Sequence, residues 1–475
     1  MTGTGATQNY TTQLDEFVQP VSVTNPINGN SSFTWTDNSR LQEFVNAKNQ
    51  SYQYTWDEAG NPLTMEDPRG ITTTFTWDED NNLTEMVRPG NERYILTYDA
   101  NSNLKTITDP ENQVTTLTYN GQGNITERRN NLGKTWNYTY DGNGYLESVI
   151  MPNDGGGTSG RPTWTYDNDE LGRRVSVTDP NNNTWNYTYD AEDRVVRIDY
   201  PDATKAEFRF NNDGLMIWAK DQSNVRTDFR YNSALQLTET VDSANVGATL
   251  RRTQYRYDNF GRLSRLTNAR SQDTVYTYDN LNRTTNVSYP GNLISESFTY
   301  DAIGNVLTHR KGDNTVITYA YDDDNRLERI SHPSLSPAIT YSYDDNDRRT
   351  SMTDETGTTN WTYNKKGQIL TVATPLTGTL EYDYDGIGRL ETITDPEDIV
   401  TTYTYTDRNL MASVNQDGQT ISYTYDQNGN LSGKTLPNGV NCNMNYDELN
   451  RLTRVEYAQG MNAPFFSEDY TMDNV

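Results

Sequence analysis

The sequence contains little cysteine or histidine, the residues on which disulfides, most zinc sites and histidine-based catalytic triads depend. Cys442 is the only cysteine among 475 residues, which excludes an internal disulfide framework, and we predict that it is a small packing residue in a strand. The only two histidines, His309 and His332, have no partner motif. Because a zinc site or a histidine-based triad needs several ligands brought together, we predict that both histidines lie solvated in loops. We therefore predict that the chain is not an enzyme and binds no cofactor and no metal.

Basic residues are also scarce. The formal net charge is −27, and only 9 of the 39 basic residues are lysines. A nucleic-acid surface needs clustered lysine and arginine, so we predict no nucleic-acid partner. No apolar run reaches the ~18 residues of a membrane span, and residues 1–19 lack the basic start and apolar stretch of a secretory signal. A strongly acidic chain suits a secreted or cell-surface setting, which is the localisation we predict.

What the sequence has in abundance is one short pattern: an aromatic residue, a spacer, a second aromatic residue and then Asp or a substitute, called here the anchor. Tyr423-Thr424-Tyr425-Asp426 is an example. Of the 20 spacings between anchors, 12 are 21 residues. A fixed period of this length indicates one supersecondary unit repeated along the chain rather than a single compact core. The pattern places the anchors at positions 36, 57, 78, 99, 120, 141, 167, 190, 211, 232, 258, 279, 301, 322, 344, 364, 385, 406, 426, 447 and 473.

Each repeat predicts a strand, a tight turn and a second strand. The two aromatic side chains, at i and i+2, share one face of a strand. The anchor is Asp, Asn or Thr, which share a side-chain oxygen, so we predict a local hydrogen-bond acceptor that closes a turn. Glycine three residues later, as at Gly388, favours a hairpin turn with a glycine bulge. In the second strand Leu390 and Ile393 are three residues apart, which indicates a further bulge.

Short turns connect the repeats, many of them with proline, as in Asp395-Pro396. We therefore predict an all-β fold of continuous antiparallel β-hairpin repeats. A sheet of roughly forty strands must coil, since open twisted sheets rarely exceed ~10 strands. Residues 1–30 lack the period, and we predict an irregular N-terminal lead-in or cap there. Residues 31–475 form the predicted repeat shell of 21 repeats, the last of them truncated.

The pattern resembles the YD-repeat, or Rhs, family. The resemblance rests on motifs such as Tyr98-Asp99 followed by Leu104 and Asp109-Pro110, and it extends over residues 33–475. The family includes bacterial polymorphic toxins, shells of insecticidal toxin complexes, wall-associated proteins and teneurins. The resemblance implies a hollow spiral β-shell that often shelters a toxic cargo or mediates cell-surface contact. The chain departs from toxin-bearing members, because it has no C-terminal Asp-Pro-x-Gly pair and no effector domain, and residues 67–70 form an ordinary repeat turn.

Two other readings of the repeat involve ligands. Acidic turns at 78–80, 322–324 and 344–347 place oxygens close together, but none has the spacing of an EF-hand, so we predict solvated turns. Aromatic rows can stack on sugars, but these rows recur in all repeats and indicate cross-strand packing. The residues that we predict to matter are structural anchors of the repeat: Tyr98, Asp99, Tyr140, Asp141, Tyr189, Asp190, Tyr257, Asp258, Tyr300, Asp301, Tyr343, Asp344, Tyr384, Asp385, Tyr425 and Asp426.

The leading functional hypothesis is a non-catalytic structural segment of an Rhs/YD shell that encapsulates a polypeptide toxin cargo. Its predicted partners are that cargo or other segments of a shell. The alternative is a cell-surface or wall-associated adhesin, whose exposed turns or aromatic face bind glycans or a neighbouring cell.

Overall fold

The computed structural model describes residues 9–154, 160–243, 251–291, 294–334, 336–460 and 462–471. This described part of the chain consists of 43 β-strands and one short 3-10 turn, with no α-helix. In chain order the elements are β1 (Thr11–Leu14), β2 (Pro20–Thr24), β3 (Asn30–Trp35), β4 (Leu41–Val45), β5 (Ser51–Trp56), β6 (Pro62–Glu66), β7 (Thr72–Trp77), β8 (Leu83–Arg88), the 3-10 turn (Pro89–Asn91), β9 (Glu92–Tyr98), β10 (Leu104–Thr108), β11 (Val114–Tyr119), β12 (Ile125–Arg129), β13 (Thr135–Tyr140), β14 (Leu146–Ile150), β15 (Thr163–Asn168), β16 (Arg174–Thr178), β17 (Thr184–Tyr189), β18 (Val195–Asp199), β19 (Lys205–Phe210), β20 (Met216–Lys220), β21 (Arg226–Tyr231), β22 (Leu237–Ser243), β23 (Arg251–Tyr257), β24 (Leu263–Thr267), β25 (Asp273–Tyr278), β26 (Thr284–Ser288), β27 (Ser295–Tyr300), β28 (Val306–Arg310), β29 (Val316–Tyr321), β30 (Leu327–Ser331), β31 (Ile339–Tyr343), β32 (Arg349–Asp354), β33 (Gly357–Tyr363), β34 (Ile369–Thr374), β35 (Gly378–Tyr384), β36 (Leu390–Thr394), β37 (Val400–Tyr405), β38 (Met411–Gln416), β39 (Gln419–Tyr425), β40 (Leu431–Thr435), β41 (Val440–Tyr446), β42 (Leu452–Gln459) and β43 (Phe466–Asp469).

Strands pair antiparallel with their neighbours in sequence. β12, for example, pairs with β11 on one side and with β13 on the other. The turns between paired strands are short, so two kinds of turn alternate: the anchor turn inside a repeat and the connecting turn between repeats. The predicted all-β array of antiparallel hairpins is confirmed. The last predicted anchor, Asp473, lies outside the described residues.

The predicted bulge in the second strand is confirmed. Tyr384 opposes Leu390, whereas Asp383 opposes Thr392, so Glu391 is an extra residue. This shift returns Ile393 to the face of the sheet that Leu390 occupies. In several repeats the extra residue is Thr or Ser, and its hydroxyl donates to a carbonyl on the opposite strand, as in Thr84, Thr126, Thr238, Ser264 and Thr453.

Packing is spread along the sheet rather than gathered in one core. Among the described residues the buried hydrophobic side chains are few and mostly small: Ala206, Val241, Ile317, Val440, Cys442, Val455 and Ala458. Half-buried rings instead pack sideways on one face. The ring centroids of Phe33 and Phe44 are 5.2 Å apart, and those of Phe44 and Tyr52 are 5.9 Å apart. Stacking from repeat to repeat therefore stabilises the array.

The chain divides into two compact units, each made from stretches that are distant in sequence. Unit 1 contains Met1–Ser102, Ile107–Asn112 and Thr253–Thr379. Unit 2 contains Asn103–Thr106, Gln113–Arg252 and Leu380–Val475. Within each unit, an early stretch of hairpins therefore meets a late one.

The structure differs from the sequence prediction before residue 30. β1 and β2 already form a hairpin, and β2 pairs with β3 as in later repeats. The turn begins at Asp15, whose Oδ1 accepts hydrogen bonds from the N–H groups of Phe17 and Gln19. The aromatic pattern does not detect this hairpin because Thr12 and Leu14 occupy the two aromatic positions. Residues 1–8 of the predicted lead-in lie outside the described residues.

Candidate functional site

Each anchor turn is built around one side-chain oxygen. Oδ1 of Asp385 accepts hydrogen bonds from the backbone N–H groups of Ile387 and Arg389, at 3.0 and 2.9 Å. The N–H of Gly388 donates to the carbonyl of Asp385 at 2.9 Å. Gly388 has a φ of 88°, a left-handed conformation that glycine adopts without strain. Asn364 accepts the equivalent bonds with its amide oxygen, so the turn requires an acceptor rather than a charge.

In most repeats, the aromatic residue just before the anchor ties its repeat to the preceding one. The hydroxyl of Tyr405, on β37, donates to the carbonyl of Leu390 at 2.8 Å, and Leu390 is the first residue of β36. Where tryptophan occupies this position, its indole N–H makes the same bond, as from Trp35 to the carbonyl of Pro20 at 2.9 Å. We call this bond the ring tether. It is also made by Trp56, Trp77, Tyr98, Tyr119, Tyr140, Tyr189, Tyr231, Tyr278, Tyr300, Tyr321, Tyr343, Tyr363, Tyr425 and Tyr446.

An arginine four residues after the anchor braces many hairpins against the next repeat. Nε of Arg326 donates to Oδ2 of Asp322 at 2.7 Å, and its Nη1 donates to the carbonyl of Asp344 at 3.0 Å. The same guanidinium lies 4.7 Å from the ring centroid of Tyr343. Arginine suits this position because its planar group binds carboxylates and stacks on aromatic faces at once. The arrangement recurs at Arg173, Arg194, Arg262, Arg283, Arg348 and Arg389.

These contacts shift pKa values in opposite directions. Burial raises the pKa of tether tyrosines such as Tyr231 and Tyr300 above the ordinary value of 10.0. Burial alone would also raise the pKa of Asp279, but hydrogen bonds from the guanidinium and backbone N–H of Arg283 lower it overall. Tyr231 and Tyr300 therefore remain protonated donors, while the carboxylate of Asp279 remains an ionised acceptor.

Along the sheet, at least one other repeat lies between any two of the eight tyrosine–aspartate pairs that the sequence predicts. Each of the eight predicted aspartates begins an anchor turn. Tyr257 and Tyr384 occupy the tether position of their repeats, and burial raises the pKa of both phenols. The other six predicted tyrosines make ring tethers: Tyr98, Tyr140, Tyr189, Tyr300, Tyr343 and Tyr425. Their importance for stability stays a prediction.

One anchor is misplaced by the sequence pattern. The sequence predicts Asp167, but the turn begins at Asp169, whose Oδ1 accepts from the N–H groups of Leu171 and Arg173. Asn168 occupies the aromatic position and makes the tether itself, with its amide N–H donating to the carbonyl of Leu146 at 3.0 Å. The aromatic pattern therefore places the anchor two residues before the true start of the turn, because an amide replaces the phenol at the tether position.

The predictions for isolated residues have mixed outcomes. Cys442 is fully buried in β41, as predicted. His332 lies in a connecting turn, also as predicted. The prediction for His309 is wrong, because it lies within β28, stacks on Phe298 at 4.6 Å and contacts the Glu296 carboxylate at 3.1 Å.

The sequence also misses contacts between turns that are 245 to 278 residues apart. In unit 1, connecting turns of the early stretch meet anchor turns of the late stretch, and we call this line of contacts seam 1. Arg348 pairs with the buried Glu92 at 2.7 Å, and Asn346 donates to the carbonyl of Pro89 at 2.8 Å. Lys366 pairs with Asp109 at 2.7 Å.

Seam 1 corrects one more prediction. Asp324, expected in a solvated turn, is only 10% exposed and pairs with Arg69. Its exclusion from water follows from the connecting turn that lies over it, which carries Arg69 and Asp67.

Unit 2 has an equivalent line of contacts, seam 2. Lys134 pairs with Asp407 at 2.7 Å. Arg408, whose side chain is 8% exposed, pairs with Asp154, and the backbone N–H of Arg408 donates to the same carboxylate at 2.9 Å. Asn181 donates to Asp426 at 3.0 Å. Hairpin ends within each unit are thus joined by charge-assisted hydrogen bonds.

Among the described residues, no group of three or more His, Cys, Asp or Glu side chains is arranged so that it could hold a metal ion. Within the same residues, no helix is long and apolar enough to cross a membrane.

A family model described as Teneurin YD-shell matches residues 64–154, 264–409 and 339–467, which together make up more than half of the chain. The chain belongs to the YD-shell family. A second model, RHS Repeat, matches residues 169–205 of this YD-shell chain. No curated protein sequence matches it.

Solved structures of toxin complexes are similar to the YD-shell chain in fold. A crystal structure of TcdB2-TccC3-TEV aligns with a TM-score of 0.60 and 11% identity over 98% of this chain and 35% of that one. TcdB2-TccC3-Cdc42 aligns with a TM-score of 0.61 and 14% identity over 94% of this chain and 26% of that one. A Tc holotoxin pore of Photorhabdus luminescens that carries a TccC3 mutation aligns with a TM-score of 0.58 and 12% identity, over 98% and 35%. The chain therefore has the Rhs shell fold and spans about a third or less of the length of these structures.

Proposed function

We propose that the chain is a non-catalytic wall segment of an Rhs/YD shell that encloses a polypeptide, such as a toxin, outside the cell that makes it. The observation that carries this proposal is the fold similarity to TcdB2-TccC3 over 98% of the chain. In this role the anchors, tethers and arginine braces maintain the wall, and no residue is assigned to catalysis or to a cofactor. The partners are the enclosed polypeptide and further segments of the same kind of shell.

The chemistry of the sheet faces supports a container. The face opposite the rings carries pairs of hydroxyl groups across neighbouring strands, such as Thr55 with Thr64 at 2.6 Å and Thr299 with Thr308 at 2.7 Å. Exposed apolar patches bind other proteins, whereas small hydroxyl groups offer an unfolded chain little apolar area. A wall that presents this face to a cargo would enclose the cargo without binding it tightly.

Protease protection of the natural gene product that carries this chain tests the proposal. We expect a polypeptide that lies outside the repeat array to resist digestion in the intact protein. The variant Arg408→Ala weakens seam 2 and should expose that polypeptide, while Arg408→Lys, which keeps the charge, serves as the matched control. If digestion removes everything except the repeats in the unmodified protein, the wall encloses nothing and the proposal fails.

A second candidate is a cell-surface or wall-associated interaction repeat that binds glycans or neighbouring cells. The match to the Teneurin YD-shell model favours it, and the exposed tips of anchor turns, such as Leu171 and Phe260, would supply the contacts. A glycan array and a cell-binding assay with the purified chain test this candidate. Binding that Leu171→Ser or Phe260→Ser abolishes would support it, and uniform absence of binding would exclude it.

A further inference from the structure

One charged cluster in seam 1 carries more negative than positive groups. Arg69 lies at its centre and pairs with Asp324, with Asp67 at 2.7 Å and with Asp347 at 3.2 Å. Arg326 also contacts Asp347, at 2.8 Å. Three carboxylates thus share the guanidinium of Arg69, which sits in the connecting turn between β6 and β7.

Other charged groups of the surrounding elements do not neutralise the excess negative charge of the cluster. Arg326 is already bound to Asp322 at 2.7 Å, and Asp345, Arg88, Tyr52 and Tyr54 line the adjacent cavity of about 400 Å³. The cavity gives solvent access to the cluster, so a proton can be exchanged without unfolding. Asp324 is the least exposed of the three carboxylates on Arg69, at 10%, against 23% for Asp67 and 62% for Asp347.

We propose that the Arg69 cluster is an acid-tightened latch, in which a proton on Asp324 strengthens seam 1 and its loss weakens the contact between the two stretches of unit 1. When Asp324 is ionised, it repels the carboxylate of Asp67 across the seam. When it is protonated, it remains a hydrogen-bond partner and the repulsion disappears. The latch concerns unit 1 alone and does not depend on whether the shell encloses a cargo.

The direction of the pH effect follows from linkage. Burial, together with the Asp67 carboxylate, raises the pKa of Asp324 to about 6, although Arg69 and Arg326 act in the opposite direction. A carboxyl whose pKa is higher in the closed seam than in the open one favours closure under acid conditions. The penalty is absent below the ordinary value of 3.8, grows up to about pH 6 and is complete above it. The pKa of Asp322 is lowered, so this carboxylate gains a proton only in stronger acid. There its contacts weaken, which limits how far acid can strengthen the seam.

Hydrogen exchange of the full chain, measured by mass spectrometry at about pH 5 and about pH 7.5 and corrected for intrinsic rates, tests the latch. We expect peptides that contain residues 67–71 and 322–326 to open about tenfold more often at the higher pH. Asp324→Asn should remove this difference and leave the seam protected at both values. Asp80→Asn, an equal change of charge in an anchor turn of the early stretch, should leave the difference intact.

A second variant guards against misfolding of Asp324→Asn. Asp67→Asn keeps the turn, because asparagine already occupies this position in other connecting turns, such as Asn46 and Asn130. It removes the neighbouring charge, which lowers the pKa of Asp324, so the difference in opening between the two pH values should shrink. Equal protection of the unmodified chain at both pH values would overturn the latch, and so would an undiminished difference between the two pH values in Asp67→Asn.

Discussion

The ring tether makes a prediction that a single oxygen atom can test. In Tyr231→Phe the ring and its packing remain, but the hydroxyl that donates to the carbonyl of Met216 at 2.8 Å is lost. Burial raises the pKa of Tyr231, and we expect water to replace the missing donor only in part. A neutral hydrogen bond of this kind contributes ~1 kcal/mol. Because repeats are stabilised mainly by their neighbours, we expect the loss to be local.

The assay is hydrogen exchange of the peptide that spans β20 and β21, supported by a urea unfolding curve. A loss of ~1 kcal/mol corresponds to about fivefold more frequent opening. The chain offers a matched reverse variant, since Phe210 occupies the tether position one repeat earlier. Phe210→Tyr should place a hydroxyl near the carbonyl of Val195, the first residue of β18, and should slow local opening by a similar factor.

The two variants together can refute the reasoning. If Tyr231→Phe exchanges as the unmodified chain does, the tether contributes nothing beyond ring packing. If Phe210→Tyr also fails to slow exchange, a hydroxyl at the tether position does not stabilise the fold, even where it lies within hydrogen-bond distance of the carbonyl oxygen.

Three further predictions concern the anchor, the seam and the tyrosines as a group. Asp385→Ala removes the acceptor for the N–H groups of Ile387 and Arg389 and should lower local stability by ~2 kcal/mol. Asp385→Asn keeps an acceptor and should lose less stability. Thermal unfolding of the two variants measures the difference, and equal melting curves would contradict this prediction. Arg408→Ala removes the guanidinium that pairs with the carboxylate of Asp154 in seam 2, while the backbone N–H still donates to that carboxylate; the change should cost ~3 kcal/mol, with Arg408→Lys less affected in urea unfolding. Burial raises the pKa of most tether tyrosines, such as Tyr231 and Tyr300. Their contribution to stability is therefore complete below pH 10.0 and is lost as pH rises through the higher folded values; ultraviolet absorbance should show these phenols ionising at higher pH in the folded chain than in the denatured one.

Local physics makes much of the repeat predictable from the sequence. The alternation of aromatic residues fixes which face of the strand they share, and the Asp, Asn or Thr anchor identifies the turn. The spacing between Leu390 and Ile393 was enough to predict an extra residue, which is Glu391. Each of these features depends on residues within one hairpin.

Two kinds of feature are not visible in the sequence. One kind depends on a hydrogen-bonding group that different classes of residue can supply, and the other depends on partners that are distant in sequence. Asn168 replaces a phenol because its amide N–H reaches the same carbonyl, which a search for aromatic residues cannot detect. Asp324 looks like a solvated turn residue until the turn with Arg69 lies over it. Contacts of this kind join residues more than 240 positions apart, and a period of 21 residues carries no information about where the array meets itself.

Carbodiimide cross-linking shows whether early and late hairpins of each unit meet at their turns. This reagent joins an ammonium and a carboxylate only when the two groups touch, and the chain has only 9 lysines. We expect links between Lys48 and Asp301 and between Lys366 and Asp109 in unit 1, where the groups lie 3.5 and 2.7 Å apart. In unit 2 we expect a link between Lys134 and Asp407, at 2.7 Å. If cross-linked peptides are confined to neighbouring repeats and include none of these three pairs, the early and late hairpins do not meet.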